Sequence, residues 1–359
     1  MLKRVKDSPR EAQVATISDV ADAAGVSTAT VSRALSAPNL VRAATRVRVL
    51  DAVRALGYTP NQAARTLRAG ASRMVLVLVP QRNSIPFFAD VLDGVDAELS
   101  AHGYTMIMGS LDGPEDKARR LADLVFSRHV DGVIVVTGHV PTIDGRSILD
   151  AGIPAVGVCA EIDRKGFASV VVDDEACAKA QTNHLIGLGH RRLMYIAGPD
   201  GNYNEVRRYR GFVKAARAAG LEAAQTERCP GDYSLAAGVA AGRHFLALTE
   251  RPTGIVCGSD EMAIGFIKTV SLAGVRCPAD VSVVGFDGID FADFCEPTLT
   301  TIRQPRAALG AGGARALLAR LAAKSAHAPL RTVLHGELLA RASTGPAPVR
   351  LATAAAVRR

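Results

Sequence analysis

A short stretch of the sequence, "STATVSRAL" (residues 27–35), combines small side chains with one guanidinium. At about 100° of rotation per residue, four of them share one side of a predicted helix: Thr28, Ala29, Ser32 and Arg33. Small side chains let a helix approach a surface closely, and an arginine can donate two hydrogen bonds to guanine O6 and N7. This side therefore predicts readout of a DNA major groove. The alternative is an ordinary surface stripe of a small helical domain.

A preceding helix supplies the surface on which this helix packs. Apolar residues of Ile17–Ala24 recur at i, i+3, i+4 and i+7, which is the spacing of an amphipathic helix. Thr16 is its predicted N-cap, Gly25 ends it, and Ser27 is the predicted cap of the next helix. A third helix follows, with Thr45 as its candidate cap. The pattern predicts a small all-α domain.

Charge separates this head from the rest of the chain. The whole sequence of 359 residues carries a net charge of +8; residues 1–72 contain 11 Lys and Arg against 5 Asp and Glu, and the remainder contains 32 against 30. A basic head before a nearly neutral body predicts an anionic partner for the head. A flexible solubilising tail is the alternative, but the helical periodicity disfavours it.

The segment "YTPNQAARTLRAG" (residues 58–70) follows the three helices. Pro60 begins a short helical pattern and Gly70 ends it. Isolated helices of this length are marginal in water. We therefore predict a hinge or linker at residues 60–72 whose folding depends on a partner.

The head, the linker and the strand "MVLVLVP" that follows resemble the lactose-repressor (LacI/GalR) family of bacterial transcription regulators, and the resemblance covers about residues 16–345. It implies that three residues read the bases of operator DNA: Thr28, Ala29 and Arg33. It implies phosphate contacts at four others: Thr16, Ser27, Thr30 and Ser32. It also implies a hinge helix that contacts DNA through Asn61, Ala64 and Leu67, with Leu67 wedged into the minor groove. Positions 28 and 29 set operator choice in the family, so the operator sequence stays open.

Beyond Met74, apolar strand-like runs alternate with helical patterns. Continuous apolar strands separated by helices predict parallel sheets covered on both faces, here in two similar α/β lobes. The resemblance implies the same fold: an all-α helix-turn-helix head (residues 16–59) and an α/β body (residues 73–345) of two doubly wound parallel-sheet lobes of the periplasmic-binding-protein type. Three crossings are expected, near Val172, Ile302 and Val333.

The crossings set the expected extent of each lobe. Lobe 1 would span about residues 73–172 and 303–333, and lobe 2 about residues 173–302 and 334–345. Residues 1–15 are predicted to be flexible. Residues 346–359 have little core-forming pattern and are predicted to be disordered.

The loops after the predicted strands carry aromatic, amide, guanidinium and carboxylate groups, and ligands of parallel sheets bind at those strand ends. Aspartate and arginine can take paired hydroxyls while an aromatic ring covers a C–H face, which suits a polyhydroxylated ligand. The resemblance implies an effector cleft lined by Phe87, Phe88, Asn202, Asn204, Arg208, Tyr233, Ser259 and Asp287.

Structural roles compete with ligand binding at some of these positions. Phe88 fits a core residue at the start of its helix, and Tyr233 fits packing on a lobe surface. Asp260 fits a helix N-cap better than a ligand contact. Ala160 stands where several family members carry an aromatic that stacks on the ligand, which weakens any inference about the ligand's identity.

Other classes of protein find little support in the sequence. The six cysteines are scattered without a CxxC pair, which predicts reduced thiols, and His184 and His190 are interpreted as structural, so no metal is predicted. No apolar run spans a bilayer and none follows the basic N-terminus as an export signal would, which predicts a cytoplasmic protein without membrane contact. No P-loop or paired catalytic set is present, which disfavours an enzyme, and no cofactor is predicted.

Together these features predict a sequence-specific DNA-binding regulator. The favoured form is a repressor whose affinity for double-stranded operator DNA is switched by a small molecule, a sugar or sugar derivative, in the cleft. A homodimer, or a higher oligomer, follows from the half-site logic of helix-turn-helix proteins. An activator or dual regulator with the same parts is the alternative. Whether the ligand releases or promotes DNA binding stays open.

Overall fold

The computed structural model describes residues 15–59, 70–80, 85–110, 114–136, 140, 142–162, 164–222, 225–322 and 330–348. The chain divides into two compact units, residues 1–72 and 73–359. The three hinge positions predicted to contact DNA lie outside the described residues: Asn61, Ala64 and Leu67.

The head is built from three helices, α1 (Ile17–Ala24), α2 (Thr28–Ser36) and α3 (Ala43–Leu56), with a 3₁₀ turn at Pro38–Leu40. One valine from each helix is completely buried at the centre of the core: Val20, Val31 and Val49. The apolar spacing seen in the sequence thus becomes a small core that all three helices share.

The ends of the first two helices are capped as predicted. Thr16 accepts a hydrogen bond from the Asp19 backbone and donates its own backbone N–H to the Asp19 carboxylate at 2.7 Å, which is a capping box. Ser27 Oγ accepts from Thr30 N at 3.2 Å. The prediction for Thr45 is wrong, because α3 begins at Ala43 with the extended residue Arg42 in the N-cap position.

The body contains twelve strands among its described residues. They are β1 (Met74–Leu78), β2 (Thr105–Gly109), β3 (Gly132–Val135), β4 (Ala155–Val158), β5 (Ala168–Val172), β6 (Leu193–Ile196), β7 (Thr226–Cys229), β8 (Gly254–Cys257), β9 (Ser282–Asp287), β10 (Thr300–Arg303), β11 (Arg331–Leu334) and β12 (Glu337–Leu339). The helices are α4 (Ile85–Ala101), α5 (Glu115–Phe126), α6 (Asp174–Gly187), α7 (Tyr203–Ala218), α8 (Leu235–Ala247), α9 (Asp260–Leu272), α10 (Phe291–Phe294) and α11 (Arg306–Ala322).

The strands form two six-stranded sheets, one in each lobe. Lobe 1 has the order β11-β5-β4-β3-β1-β2, and all of its pairs are parallel. Lobe 2 has the order β12-β10-β9-β8-β6-β7, and only β10 and β12 pair antiparallel. The central strands are buried along their whole length because helices cover both faces. The predicted fold class is confirmed.

The chain passes between the lobes three times. It leaves β5 of lobe 1 for α6, which packs on the strands of lobe 2. It returns through residues 304–305, between β10 and α11, and α11 packs on β3, β4 and β5. The last crossing, at residues 335–336, joins β11 to β12.

The start of the predicted disordered tail lies against lobe 2. Ala347 N donates to the carbonyl of Leu188 at 2.9 Å, beside Gly345, whose carbonyl faces His190 Nε2 at 3.1 Å. The structure describes residues 346–348 of this segment, and the Ala347 backbone has a partner at the end of α6, which differs from the disorder expected there. Residues 349–359 lie outside the described residues.

Two glycines bring α4 and α11 of lobe 1 into backbone contact. A Cβ at Gly310 would overlap the carbonyl oxygen of Val91, and a Cβ at Gly94 would overlap that of Ala307. Because α11 follows the second crossing, this contact fixes where the returning chain joins lobe 1.

Gly310→Ala should destabilise the body by about 1–3 kcal/mol, because the added methyl forces the two helices apart. The matched control is Gly187→Ala in α6, where a Cβ meets no atom within 4 Å. Alanine is favoured over glycine inside a helix by about 0.5–1 kcal/mol, so the control should unfold at the same or a higher urea concentration than the wild type. A Gly310→Ala variant with the wild-type urea midpoint would contradict the close packing.

Candidate functional site

One side of α2 forms a concave surface on the head. It is lined by Ile17, Thr28, Ala29, Ser32, Arg33 and Ser36. The opposite side of the helix, with Val31 and Ala34, is buried. The structure therefore brings together the four residues singled out in the sequence and leaves Thr28, Ala29 and Arg33 exposed.

The residues expected at phosphates lie around the helix ends. Thr16 and Ser27 are exposed and cap α1 and α2, and Thr30 Oγ1 lies 3.0 Å from Ser27 Oγ. Free N–H groups and the positive end of the helix dipole make such N-termini suited to phosphate. Ser32 lies one turn further along α2 and is half-buried. The arrangement provides polar groups on either side of the concave surface.

A cavity of about 150 Å³ lies between the two lobes of the body. It is lined by Pro80, Phe87, Phe88, Val136, Cys159, Pro199, Asn202, Asn204, Arg208, Asp232, Tyr233, Asp287 and Gln304. A cavity of about 150 Å³ can hold a benzene ring, so this one has room for a single ring. Both lobes contribute walls, because the C-terminal strand ends of both sheets meet there.

Arg208 on α7 is the central charge of the cavity and is only 5% exposed. Its Nε donates to Asp174 Oδ1 at 2.7 Å and its Nη1 to the carbonyl of Gly258 at 2.6 Å. The ring of Phe286 lies against the guanidinium, 3.8 Å from Cζ to the ring centroid. Burial acts to lower the pKa of Arg208, but its acidic neighbours, Asp174 first and then Tyr233 and Asp287, together raise the pKa above its ordinary value, so the side chain stays charged.

Asp287, the last residue of β9, faces Arg208 without a short ion pair. Its Oδ1 lies 3.6 Å from Arg208 Nη1 and accepts a hydrogen bond from Gln304 Nε2 at 2.8 Å. Its φ of 121° is a strained backbone value for a residue with a side chain. Burial raises the pKa of Asp287 to about 7, although Arg208 and Gln304 oppose the shift.

Two asparagines at the start of α7 contribute amides. Asn202 is the N-cap of α7 and accepts from the backbone of Asn204 and Glu205. Asn204 Nδ2 donates to Asp174 Oδ2 at 2.9 Å and to the carbonyl of Cys159 at 2.7 Å. Because Cys159 follows β4 of lobe 1, the Asn204 amide links the two lobes across the cleft.

Aromatic rings supply the apolar walls. Phe87 and Phe88 of α4 meet edge to face with centroids 5.1 Å apart, and Phe88 both packs on the core and lines the cavity. Tyr233 has a φ of 70°, and its ring fills the space that a side chain at Gly198 would take. The Tyr233 hydroxyl donates to Asn202 Oδ1 at 3.4 Å. Tyr233 therefore lies at the cavity rather than only on a lobe surface.

Comparison with known proteins identifies the family. Two family models match the chain: bacterial regulatory proteins, lacI family, at residues 16–61, and a periplasmic binding protein-like domain at residues 182–344. The HTH-type transcriptional repressor CytR of Escherichia coli (strain K12) is 33% identical over 342 residues, which are 94% of this chain and 99% of CytR. The chain belongs to the LacI family. It is a DNA-binding transcriptional regulator, as its sequence predicts.

Solved structures of LacI-family regulators match this chain over most of its length. The lac repressor dimer bound to operator and the anti-inducer ONPF matches with a TM-score of 0.80 and 25% identity, over 93% of this chain and 100% of that one. A complex of the transcriptional regulator CelR with cellobiose matches with a TM-score of 0.68 and 31% identity, over 92% of this chain and 99% of that one.

Ser259 and Asp260 have different roles in the structure from those expected from the sequence. Ser259 does not line the cavity: it caps α9, accepts from Met262 N and donates to the carbonyl of Tyr233. The prediction of Asp260 as a cap is wrong because Ser259 already occupies that position. Asp260 is fully buried, accepts from Thr301 Oγ1 at 2.5 Å and from Ile289 N at 2.9 Å, and thereby holds the turn after β9.

Sequence reasoning missed three polar residues of this LacI-family body. Asp174, Gln304 and Asp232 hold or line the cavity. Asp174 and Gln304 stand at the first two crossings, so a rule that crossings place residues beside the cleft would have found them. Asp232 neighbours Tyr233 and carried no separate signal.

Metal and membrane features are absent from the part of the chain that the structure describes. No group of three or more His, Cys, Asp or Glu side chains there is arranged to hold a metal ion. His184 and His190 instead face hydroxyls of Thr344 and Thr253 at 2.9 and 3.0 Å. No helix among the described residues is long and apolar enough to cross a membrane, and the six cysteines form no disulfide.

The raised pKa of Asp287 predicts a pH-dependent cost of folding. A carboxyl with a higher pKa in the folded than in the unfolded state stabilises at low pH and loses that contribution as pH rises through about 7. Asp287→Asn should therefore gain stability over the wild type between pH 4 and pH 8, by about 1–4 kcal/mol. Urea unfolding at several pH values measures the difference. Asp232→Asn, at an exposed cavity position, is the control, and a pH-independent difference for Asp287→Asn would contradict the prediction.

Proposed function

We propose that this regulator is a repressor that binds operator DNA as a homodimer and changes its affinity when a sugar or sugar derivative occupies the cleft. The observation that carries the proposal is the ring-sized cavity between the lobes, whose aromatic wall comes from lobe 1 and whose polar walls come from lobe 2 and from Gln304 at the second crossing. CytR is an HTH-type transcriptional repressor, the lac repressor dimer is bound to operator, and CelR is bound to cellobiose. These relatives favour repression over activation, and the proposal includes no enzymatic step.

The concave side of α2 is the proposed major-groove surface. Arg33 can read a guanine, the Thr28 hydroxyl can donate or accept a hydrogen bond, and the methyl groups of Thr28 and Ala29 can meet a thymine methyl. Phosphate contacts are assigned to Thr16, Ser27, Thr30 and Ser32. The hinge at residues 60–72 is assigned the minor groove, with Asn61, Ala64 and Leu67 in contact with DNA and Leu67 as a wedge.

The chemistry of the cavity favours a ligand with neighbouring hydroxyls on one ring. Asp287 accepts from donors, Arg208 donates to acceptors, and the two lie close enough to take adjacent hydroxyl groups. The phenyl ring of Phe88 offers a face for C–H groups. The proposed ligand contacts are Phe87, Phe88, Asn202, Asn204, Arg208, Tyr233 and Asp287, and Ser259 contributes by holding the backbone of Tyr233.

Contacts across the cleft offer a route from ligand to DNA. Glu161 of lobe 1 accepts from Tyr203 Oη at 2.6 Å and lies 3.4 Å from Arg207, both on α7 of lobe 2. Near the second crossing, Arg306 of α11 donates to Asp90 within lobe 1 and to the carbonyl of Gly288 in lobe 2. The second of these bonds joins the lobes. A ligand that changes how the lobes close must rearrange these contacts. The change would reach the head through residues 60–72, which join the two units.

Arg33→Ala should weaken binding to the cognate operator by about 1–3 kcal/mol and relax base preference at one position. The operator is first selected from random duplex DNA with the wild-type protein, and affinity is measured by fluorescence anisotropy against salt concentration. Arg54→Ala is the matched control, because Arg54 is an exposed head arginine paired with Asp51 at 2.7 Å and lies outside the concave surface. Equal losses on cognate and random DNA would make Arg33 a phosphate contact.

Asp287→Ala should abolish the response to ligand. Thermal shift with the wild type against D-ribose, D-glucose, cellobiose and adenine identifies a responding probe, since a bound ligand at 100 times its Kd stabilises by about 2.7 kcal/mol. Operator affinity is then measured with and without that probe. If the probe is an inducer, the variant keeps normal ligand-free DNA binding; if it is a corepressor, the variant fails to bind tightly even with probe. A variant that responds at unchanged probe concentration removes Asp287 from the site.

A further inference from the structure

Asp174 is a completely buried carboxylate that does not line the cavity but holds two side chains that do. Its Oδ1 accepts from Arg208 Nε at 2.7 Å, and its Oδ2 accepts from Asn204 Nδ2 at 2.9 Å. We infer that Asp174 is a positioning residue of the cleft, which aims Arg208 and Asn204 at the ligand and ties them to the first crossing between the lobes. The inference rests on the proposed ligand-binding function of the cleft.

The backbone places Asp174 rigidly. It is the first residue of α6, directly after the chain leaves β5, and the preceding Asp173 caps the helix by accepting from Ala176 N at 3.1 Å. A Cβ at Gly211 of α7 would overlap the carbonyl of Glu175, so α6 and α7 touch backbone to backbone. Asp174 therefore meets the side chains of α7 at a fixed distance.

For Arg208, this contact leaves only part of the guanidinium for a ligand. Nε is held by Asp174 and Nη1 by the Gly258 carbonyl, while Phe286 supports one face. Arg208 lines the cavity, so we assign its remaining N–H groups to the ligand. Because Asp174 already neutralises Arg208, the carboxylate of Asp287 stays 3.6 Å away, beyond a hydrogen bond, and is left to accept from a ligand.

For Asn204, the same carboxylate fixes the orientation of the amide. Nδ2 carries two hydrogens, and these are donated to Asp174 and to the carbonyl of Cys159. The Asn204 oxygen is thereby left as the free acceptor of the amide. The path from Asp174 through Asn204 to Cys159 also joins lobe 2 to lobe 1, so one carboxylate bears on both the positioning of ligand groups and this contact between the lobes.

Asp174→Asn tests the inference. An amide has one acceptor and one donor group, so it can hold Arg208 or Asn204 but presents a donor to the other. With the probe that most stabilises the wild type among D-ribose, D-glucose, cellobiose and adenine, affinity by calorimetry should fall roughly 10–100-fold, as expected for a lost hydrogen bond to a charged group. Asp173→Asn removes the same charge one residue away and keeps a good N-cap, so its affinity should be unchanged. An unchanged affinity for Asp174→Asn would overturn the inference.

The crystal structure of ligand-free Asp174→Asn gives a readout that needs no ligand. Arg208, freed from its partner, should turn to Asp287 and shorten the 3.6 Å separation to about 2.8 Å, or Asn204 should leave Cys159. If both side chains keep their places, Asp174 does not position them. If no probe stabilises the wild type, the proposed sugar ligand fails, whereas the structure of the variant still decides the role of Asp174.

If Asp174→Asn does not fold, a double variant that also replaces Arg208 tests the inference instead. Removing one partner leaves a buried unpaired charge, whereas Asp174→Leu combined with Arg208→Met replaces both charges by apolar side chains of similar size, leaves no acceptor for Asn204 at position 174, and should fold. In the crystal structure of this double variant, Asn204 should lose its hydrogen bond to the Cys159 carbonyl. Retention of that bond at about 2.7 Å would show that Asn204 is positioned without Asp174 and would overturn the inference.

Discussion

The buried ion pair between Arg208 and Asp174 constrains the whole cleft. Taking both charges out of water costs several kcal/mol for each ion unless close partners replace the lost hydration. The structure provides them: a carboxylate at 2.7 Å, a carbonyl at 2.6 Å and an aromatic face at 3.8 Å. These partners come from α6, from the end of β8 and from β9, so the guanidinium is satisfied only when several separate segments of lobe 2 are correctly assembled.

Backbone strain accumulates around the same cavity. Three of its lining residues have a positive φ although none is glycine: Cys159 at 66°, Tyr233 at 70° and Asp287 at 121°. Each such residue costs on the order of 1–3 kcal/mol and persists only where neighbouring structure enforces it. At Asp287 the enforcement is visible, because Asp260 holds the turn that follows and Gln304 bonds both its carbonyl and its carboxylate. The side chains are thus presented to the cleft by a backbone that the rest of the lobe holds in place.

The periodicity of the sequence predicted the helices and strands, whereas the side-chain contacts between segments distant in sequence emerged only from the structure. The caps at Thr16 and Ser27 and the side of α2 that carries Arg33 depend on residues a few positions apart, so the sequence was sufficient. Asp174 lies 34 residues from Arg208, and Gln304 lies 17 from Asp287. No local pattern reports such pairs. Ala347 is similar, since its backbone N–H donates to the distant carbonyl of Leu188 at the end of α6, a contact that no local pattern around it indicates.

The strength of the contacts between the lobes decides whether a small ligand can move them. Between the lobes, Glu161 and Arg207 are each about one-third exposed, and Asp290, the lobe 2 partner of Arg306, is 86% exposed. Ion pairs this accessible to water contribute only about 0–1 kcal/mol each. Ion pairs of that strength stabilise one arrangement of the lobes but leave other arrangements accessible. A ligand that engages both lobes needs a coupling energy of only about 1–3 kcal/mol to shift the balance, which a single well-placed hydrogen bond to a charged group can supply. The buried ion pair of Arg208 and Asp174 therefore fixes the geometry of the site, whereas the weak, exposed ion pairs between the lobes allow the lobes to close or open.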